Sequence, residues 1–411
     1  MLHGTLHPDF AGVATSLARI LPRGKPGGAA VCVYHRGEKV VDIWGGTRNA
    51  AGDPWQEDTV SVSFSTTKGV ASTLLHVYAD RGLVDYDAPV AEYWPEFARN
   101  GKERITVRHL MCHEAGLYAL SDMIERGSDV LDWDGMIQRL ADATPRHAPG
   151  ETHGYHALTY GWLVGEVARR VAGMKPFSEL LAAELAGPLR LDGLLCGVPP
   201  HEQPRCAHLL AANFESPHEV RRRNAEKMWE RARRWDRRLA AVGIAWRPSD
   251  AMAALAPPGF EEVEFNGEAF RASSIPAANG MFTARSLARL YACLAGGGEL
   301  DGVRLLSTET VARAATEQNR GVGRVIPISM RWRMGYHRVF AIGASAPAGF
   351  GHYGFGGSGA FADPKRRLAV ALTVNSGLGT PFGDSRIARI GGAAVRCADA
   401  RGAELALPAT T

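Results

Sequence analysis

The chain has 411 residues, of which 45% are hydrophobic and 22% are charged, and its formal net charge is +4. Such a composition can build a substantial core, so it excludes an intrinsically disordered protein and predicts one large two-lobed unit or two domains. So small a net charge on this length is not typical of proteins whose main partner is nucleic acid or an acidic membrane, and we predict neither partner.

The first segment of the chain carries no targeting signal that we recognise. Residues 1–8 lack a charged stretch followed by an apolar one, and no run approaches the roughly 18 apolar residues of a membrane span. We therefore expect a soluble, unexported protein. The cysteines lack CxxC pairs and metal-ligand spacing, which predicts free thiols, no metal site and a cytoplasmic location. They are Cys32, Cys112, Cys196, Cys206, Cys293 and Cys397.

In chain order, the pattern predicts a helix at 9–21 and then an antiparallel hairpin, with strands at 29–34 and 39–44 around a turn at 35–38. From residue 59 to about 193 the pattern is mostly helical. The helices of this block are predicted near 65–81, 107–111, 131–141, 159–171 and 177–185.

The C-terminal part returns to strands. We predict strands at 332–342, 359–363 and 368–375 and a closing helix at 385–397. The fold class is therefore α/β, with an antiparallel sheet built from both chain termini, flanked by helices, and a mostly helical inserted lobe. We expect residues 1–60 with 270–411 to form the α/β domain, and 61–269 the helical domain, with 216–250 as a candidate lid.

Within the helical block, Ser65 and Lys68 form the one Ser-x-x-Lys pattern of the sequence. Residues three apart share a helix face, so the amine of Lys68 can reach the hydroxyl of Ser65. A serine at a helix start also meets unpaired backbone N–H groups, which favour an oxyanion. The pattern indicates acyl transfer without a histidine base. The alternative interpretation is an N-cap serine followed by a surface lysine.

A second candidate, Tyr155, lies at a loop tip just before the helix predicted at 159–171. A phenol with a pKa near 10 is a poor base. A neighbouring lysine cation would lower that pKa, so that Tyr155 could take the serine proton and later activate water. The alternative interpretation is an aromatic anchor in the core.

A third candidate is the glycine-rich segment 350–359, which precedes two predicted strands. Glycines allow the backbone to approach a ligand closely, and an edge strand with free N–H groups can supply an oxyanion donor. Taken by itself, the segment indicates only a turn. Taken together with the other two candidates, it predicts one wall of a cleft. Ser358 lacks the second glycine of Gly-x-Ser-x-Gly, so we predict no nucleophile there. His153 and His156 have no evident third ligand, so we interpret them as unligated loop histidines.

One segment, 220–239, is strongly basic and contains Met228, Trp229 and Trp235. A nucleic-acid or membrane-surface helix is one interpretation. We favour the other, a solvated helix whose apolar side covers a cleft.

Together these residues resemble the serine β-lactamase and penicillin-recognising superfamily, particularly the class C type enzymes and the similar class VIII carboxylesterases. Three motif positions carry the resemblance, namely Ser65-Thr66-Thr67-Lys68 at Ser-x-x-Lys, Tyr155-His156-Ala157 at Tyr-x-Asn and His352-Tyr353-Gly354 at Lys-Thr-Gly. The stretch 105–117 also looks like the family's sequence between the first two motifs. The order and spacing of these motifs agree with those of the family over roughly residues 25–395.

The departures from the motifs help to choose an activity. Ala157 stands where class C lactamases have an asparagine, His352 replaces the lysine that pairs with the antibiotic carboxylate, and Tyr353 replaces a threonine. The loss of polar groups that bind a β-lactam weakens the binding of that substrate far more than it weakens the binding of a small ester. The class VIII carboxylesterases therefore resemble this chain more closely, and segment 155–166 reads like their version.

The resemblance implies a two-step acyl transfer without metal or organic cofactor. It implies Ser65 as nucleophile, Lys68 and Tyr155 as proton acceptors, and the N–H groups of Ser65 and Phe355 as the oxyanion hole. It places substrate binding at His352, Tyr353, Gly354 and Gly356.

We predict a carboxylesterase for small esters with weak β-lactamase activity as a secondary property, and leave the oligomeric state open. The alternatives are a β-lactamase, D-amino-acid peptidase or acyltransferase of the same mechanism, and a non-enzymatic ligand-binding member.

Overall fold

The computed structural model of the protein describes residues 1–210, 216–377 and 384–406. Its twelve strands are β1 (Leu2–Leu6), β2 (Gly28–His35), β3 (Glu38–Gly46), β4 (Ser61–Val62), β5 (Leu194–Leu195), β6 (Met281–Phe282), β7 (Glu299–Leu300), β8 (Val303–Arg304), β9 (His337–Arg338), β10 (Phe350–Tyr353), β11 (Gly359–Asp363) and β12 (Leu368–Val374). Seven of them form the main sheet, in the order β1-β3-β2-β12-β11-β10-β9. All of its neighbouring strands are antiparallel.

The two ends of the chain meet at the centre of this sheet. Strand β2 pairs with β12, with Val33 opposite Val370. Every residue of β12 is buried, as expected for a central strand covered on both faces. The predicted fold class is confirmed: both chain ends build one antiparallel sheet, and the segment between β3 and β9 is mainly helical.

The α-helices of the described residues are α1 (Ala11–Ile20), α2 (Thr66–Asp80), α3 (Val90–Tyr93), α4 (Val107–Met111), α5 (Trp133–Asp142), α6 (Thr159–Val171), α7 (Phe177–Leu181), α8 (Gly187–Leu189), α9 (His218–Ala241), α10 (Pro248–Leu255), α11 (Glu268–Ala272), α12 (Ala284–Ala295), α13 (Thr308–Ala315) and α14 (Arg386–Ala406). Helices α1 and α14 share one hydrophobic core with one face of the main sheet, and α12 packs against β12, β2 and β11. The predicted hairpin and closing helix are confirmed.

One predicted element is wrong in extent. The strand expected at 332–342 is reduced to the two residues of β9. The chain turns just before it, where Arg333 N–H donates to the Tyr336 carbonyl at 2.8 Å and Gly335 has a φ of 80°. That left-handed backbone suits glycine and interrupts an extended strand, although the apolar pattern around it is strand-like.

Helix α2 carries the candidate serine and lysine at its start. It packs between helix α6 and strand β10, and residues 66–78 are all buried. A helix that is buried all round is fixed by tertiary packing rather than by its own propensity. Its N-terminal end is therefore held rigidly at the junction of the sheet and the helical segment.

All six cysteines are free thiols, as predicted, and only Cys397 is not fully buried. Across the three described ranges, no helix has the length and hydropathy needed to cross a membrane. The domain boundaries at 60 and 270 stay a prediction.

Candidate active site

Ser65 lies in a tight turn between strand β4 and helix α2. The preceding residue, Phe64, has a φ of 44°, which is unusual for a residue with a side chain. The turn is fixed from both sides, since Ser63 N–H donates to the Gly280 carbonyl at 2.9 Å and Thr67 Oγ1 donates to the Phe64 carbonyl at 2.6 Å. The Ser65 hydroxyl does not cap α2. Ser65 occupies the N-cap position, but its side chain does not cap the helix and Lys68 is buried, so the interpretation as a capping serine followed by a surface lysine is wrong. The Ser65 hydroxyl is left for other contacts.

Lys68 is fully buried and directed at that hydroxyl, with Nζ 3.0 Å from Ser65 Oγ. Its amine also donates to the carbonyl oxygens of Ala157 at 2.6 Å and Ala277 at 3.0 Å. No carboxylate is among these partners. Burial lowers the pKa of Lys68 well below its usual 10.5, because desolvation penalises the charged form.

Tyr155 completes the cluster: its hydroxyl donates to Ser65 Oγ at 2.7 Å, and Lys68 Nζ lies 4.8 Å from the centre of its ring. The sequence-based expectation that a lysine cation lowers the pKa of this phenol is wrong. Burial raises the pKa of Tyr155 above its ordinary value, and only the hydrogen bond to Ser65 opposes the shift. Burial acts on both groups, because it disfavours the ammonium of Lys68 as well as the phenolate of Tyr155.

Lys68 Nζ donates to three acceptors, and its lowered pKa makes the loss of one proton easier. A neutral amine has two N–H donors and one lone pair, and two carbonyl oxygens are placed to accept the two donors. Lys68 Nζ donates to Ser65 Oγ, as does the Tyr155 hydroxyl, and an amine that has lost one proton would turn its lone pair to that oxygen. This arrangement can draw a proton from Ser65 toward Lys68 and return one through Tyr155.

Two aromatic residues that the sequence did not single out hold Tyr155 in place. Trp332 stacks on its ring, with centroids 5.3 Å apart and planes 8° apart. His113 meets it edge-on at 5.0 Å and accepts the N–H of His156 through Nδ1. Burial keeps His113 uncharged by lowering its pKa well below 6.5. Both lie far from Tyr155 in sequence, so no spacing pattern could have indicated them.

The loop that supplies the Ala277 carbonyl is fixed by a fully buried asparagine, Asn279. Its amide nitrogen donates to the carbonyls of Phe270 and Ser273, at 2.8 and 2.7 Å, and its oxygen accepts the N–H of Ile275 at 2.8 Å. Asn279 therefore acts on Lys68 indirectly, by positioning its carbonyl partner.

A cavity of about 470 Å³ opens beside Ser65. Among the described residues its lining is apolar apart from Ser65 and Arg231, and one wall is helix α9. The lining residues are Phe64, Ser65, Ala157, Leu158, Met228, Arg231, Ala232, Trp235, Trp246, Pro248, Ala251, Met252, Leu255, Ala256, Phe260, Phe265, Ala278 and Phe355. The interpretation of segment 220–239 as a helix whose apolar side covers a cleft is confirmed.

The glycine-rich segment lies against the nucleophile turn. Gly354 N–H donates to the Ser358 carbonyl at 2.8 Å, and the following residue, Phe355, lines the cavity. The expectation of an edge strand is wrong, because β9 covers the outer side of β10 at Phe350 and Gly351. The N–H of Ser65 has no acceptor within the described part of the chain.

The structure does not bring every predicted substrate-binding residue into the cavity. His352 is buried and uncharged, since burial lowers its pKa well below 6.5. The hydroxyl of Tyr353 donates to the Phe340 carbonyl at 2.9 Å, and this side chain packs with the core on the opposite face of the sheet. Gly356, with a φ of 84°, offers its carbonyl to Arg386 at 2.6 Å. Gly354 lies directly against the nucleophile turn, and Gly356 lies beside the ring of Phe64.

Other polar residues near the motifs have separate partners. Ser358 is buried, and its hydroxyl accepts the N–H of Val374 at 3.1 Å. The Nε2 of His156 accepts the N–H of Leu117 at 3.1 Å. Across the described chain, no group of three His, Cys, Asp or Glu residues is placed to hold a metal ion.

Gly354→Ala should lower kcat about a hundredfold, because the added methyl group would overlap the Ser63 carbonyl and displace the turn that carries Ser65. Steady-state kinetics on an ester would show the change mainly in kcat. Gly321→Ala is the matched control, since that position has room for a methyl group. Full activity in Gly354→Ala would contradict the view that this contact fixes the nucleophile.

An antiparallel sheet joined to a buried helix that presents a serine and a lysine to a tyrosine defines the β-lactamase-like class of proteins. The chain belongs to the β-lactamase family, whose model matches residues 17–394. It is 41% identical over 382 residues to the esterase/β-lactamase LipL of Mycobacterium tuberculosis, covering 90% of this chain and 82% of that protein.

Two solved structures of related proteins are similar to this structure over nearly its whole length. A family VIII carboxylesterase matches with a TM-score of 0.83 and 35% identity, covering 97% of this chain and 100% of that one. EstA from Arthrobacter nitroguajacolicus matches with a TM-score of 0.78 and 26% identity, covering 98% and 99% of the two chains.

Proposed function

We propose that the protein is a serine hydrolase, a carboxylesterase that cleaves small esters through an acyl-enzyme on Ser65. The observation that carries the proposal is the convergence of Lys68 Nζ and Tyr155 OH on Ser65 Oγ, at 3.0 and 2.7 Å. The similarity to LipL and to a family VIII carboxylesterase supports an ester as substrate.

In the first step, Ser65 Oγ attacks the ester carbonyl while the uncharged amine of Lys68 accepts its proton. The tetrahedral oxyanion is held by the N–H of Ser65 and, in this proposal, by that of Phe355 in the cavity wall. Tyr155 then gives its proton to the departing alcohol and is reprotonated from Lys68. The C–O bond to the alcohol breaks, and the acyl group stays on Ser65.

In the second step, water attacks the acyl-enzyme while Lys68, acting through Tyr155, takes a proton from it. The bond between the acyl carbon and Ser65 Oγ breaks, the carboxylic acid is released, and Ser65 recovers its proton. The apolar cavity beside Ser65 limits the water around the reacting atoms, which strengthens the electrostatic contacts there.

We further propose that β-lactam hydrolysis is a weaker, secondary activity. The name of LipL supports its presence. The uncharged, buried His352 and the methyl side chain of Ala157 argue for a low rate, because neither offers a charge or an amide to an antibiotic. Turnover of a cephalosporin should therefore fall well below that of p-nitrophenyl butyrate. A preference for linear D-amino-acid amides or for alcohol acceptors over water would instead favour the peptidase or acyltransferase alternatives.

A cytoplasmic location is also part of the proposal, supported by the six free thiols, of which five are buried. Fractionation of the producing cells tests it.

Labelling with an alkyl fluorophosphonate tests the nucleophile. We expect the intact mass to rise by one adduct, with peptide mapping placing it on Ser65 and hydrolysis lost in proportion to labelling. Ser65→Ala should stay unlabelled, whereas Ser358→Ala should label like the wild type. An adduct on any other residue would refute the assigned nucleophile, and the absence of any adduct would favour the non-enzymatic alternative.

A further inference from the structure

The positive charge of the protein is concentrated on the helix that walls the cavity. Helix α9 contains nine lysine and arginine residues and four acidic ones, a net charge of +5, against +4 for the whole chain. A local excess of one sign raises the concentration of oppositely charged solutes nearby. Anions are therefore favoured at this side of the cavity and cations are repelled.

One stripe of α9 faces the cavity, formed by Met228, Arg231, Ala232 and Trp235. The spacing of three, four and seven residues places these positions on one helix face. Met228 and Trp235 are also more than 40% exposed to solvent, at 46% and 41%. These residues consequently mark the mouth of the cavity, where it meets solvent.

The orientation of this stripe is fixed by contacts on the rest of the helix. Trp229 Nε1 donates to the Ala256 carbonyl at 3.0 Å, and Asp236 accepts the N–H of Ser249 at 3.1 Å. The first contact joins α9 to the residue that follows α10, and the second joins α9 to α10 itself. Arg231 is thereby held at the cavity and not elsewhere on the surface.

Arg231 is one of several basic residues of α9 that have no counterion among the described residues, and it is the one of these that lines the cavity. Arg221 is bonded to Glu264, and Arg233 and Arg238 lie over the rings of Trp229 and Trp235. Arg231 has no ion pair or hydrogen bond with any described residue, and it is the one charged residue in the described cavity lining. An unpaired guanidinium beside an apolar cavity is suited to a carboxylate, which it can bind through two parallel hydrogen bonds.

We propose that Arg231 selects esters whose acyl chain ends in a carboxylate, that is, monoesters of aliphatic dicarboxylic acids. This inference rests on the proposed ester hydrolysis at Ser65. The carbonyl is at Ser65, the methylene chain fills the cavity, and the carboxylate lies at the mouth against Arg231. At about 30 Å³ for each water-sized group, a cavity of about 470 Å³ accommodates a chain of several methylenes.

An ion pair at an open surface contributes little, because water screens it. Here, in this proposal, the apolar chain of a bound substrate would exclude water from the side of the guanidinium that faces the cavity. The contact is made equally in the bound substrate and in the transition state, so it should appear mainly in KM.

The test compares mono-p-nitrophenyl esters of succinic, adipic and suberic acid with the matching ω-carboxamides, which have the same shape without the charge. For the wild type we expect kcat/KM to favour the carboxylate about tenfold for at least one chain length. Arg231→Gln should reduce this preference to within twofold, through a loss of kcat/KM on the carboxylate esters.

Arg234→Gln is the control, since it removes one charge from the same helix at an exposed position outside the cavity lining. It should keep the preference. Equal hydrolysis of carboxylate and carboxamide by the wild type would overturn the inference while leaving the proposed esterase intact. If Arg234→Gln lost the preference for carboxylate esters to the same extent, the inference would also be overturned. That result would show that the overall charge of the helix, and not a site at Arg231, attracts the carboxylate. If the wild type cleaved neither series, nor p-nitrophenyl butyrate, the proposed function would fail first and this inference with it.

Discussion

Replacement of Ser65 by alanine is expected to lower ester hydrolysis by about 10⁴- to 10⁶-fold, to the level left by binding and oxyanion contacts alone. The hydroxyl is the point on which Lys68 and Tyr155 converge, so its removal leaves both without a reacting atom. Since the Ser65 side chain does not cap α2, the fold should persist. The measurement is kcat/KM on p-nitrophenyl butyrate, together with the melting temperature of the variant.

The control for Ser65→Ala is Ser345→Ala, which changes an exposed serine outside the cavity lining. It should retain wild-type kinetics after identical purification. Full hydrolysis in Ser65→Ala, at a melting temperature like that of the wild type, would show that another group forms the acyl-enzyme or that none is formed.

Replacement of Lys68 by methionine is expected to lower kcat by about 10²- to 10⁴-fold, the usual contribution of a positioned general base. Methionine fills a similar volume but cannot accept the Ser65 proton. Lys102→Met provides a matched control: Lys102 is also fully buried, and its amine is bound by the carbonyls of Arg99, Ala141 and Ala143. That variant should lose stability while its folded fraction keeps full specific activity.

The pH dependence of kcat/KM tests the role of Lys68 as proton acceptor. Burial lowers the pKa of Lys68, so the amine is protonated only below that lowered pKa and is then unable to accept a proton. In the wild type, kcat/KM should therefore rise with pH through the lowered pKa of Lys68, at a lower pH than an ordinary lysine would give. Burial raises the pKa of Tyr155, so loss of its proton should not limit the rate within the usual assay range. The acid limb should disappear in Lys68→Met; an unchanged limb would assign it to another group.

Much of the candidate site could be predicted because its key residues are local in sequence or lie in recognisable motifs. Ser65 and Lys68 follow from helix periodicity, and the stripe of Met228, Ala232 and Trp235 that covers the cavity can be read from the same periodicity. The hairpin and the buried strand β12 follow from the pattern of apolar residues. The proximity of Tyr155 to Ser65 followed from the family resemblance and not from spacing.

The remaining features depend on contacts that sequence does not encode locally. The carbonyls of Ala157 and Ala277 carry no side-chain signal, so the two acceptors that hold the Lys68 amine were not foreseen. The sequence gives the wrong direction for the pKa of Tyr155, because the spacing of motifs does not reveal that both the lysine and the tyrosine are buried. The shortened strand β9 reflects the turn at Gly335, which the apolar pattern concealed.

The contacts that fix the turn around Ser65 come from distant parts of the chain, and this bears on when activity first arises during biosynthesis. Ser63 is held by Gly280 and contacted by Gly354, and β2 pairs with β12 near the end of the chain. A ribosome has synthesised most of the polypeptide before these partners exist, and closing such distant pairings is slow. We therefore expect the nascent chain to be inactive until strands β10 and β12 have docked.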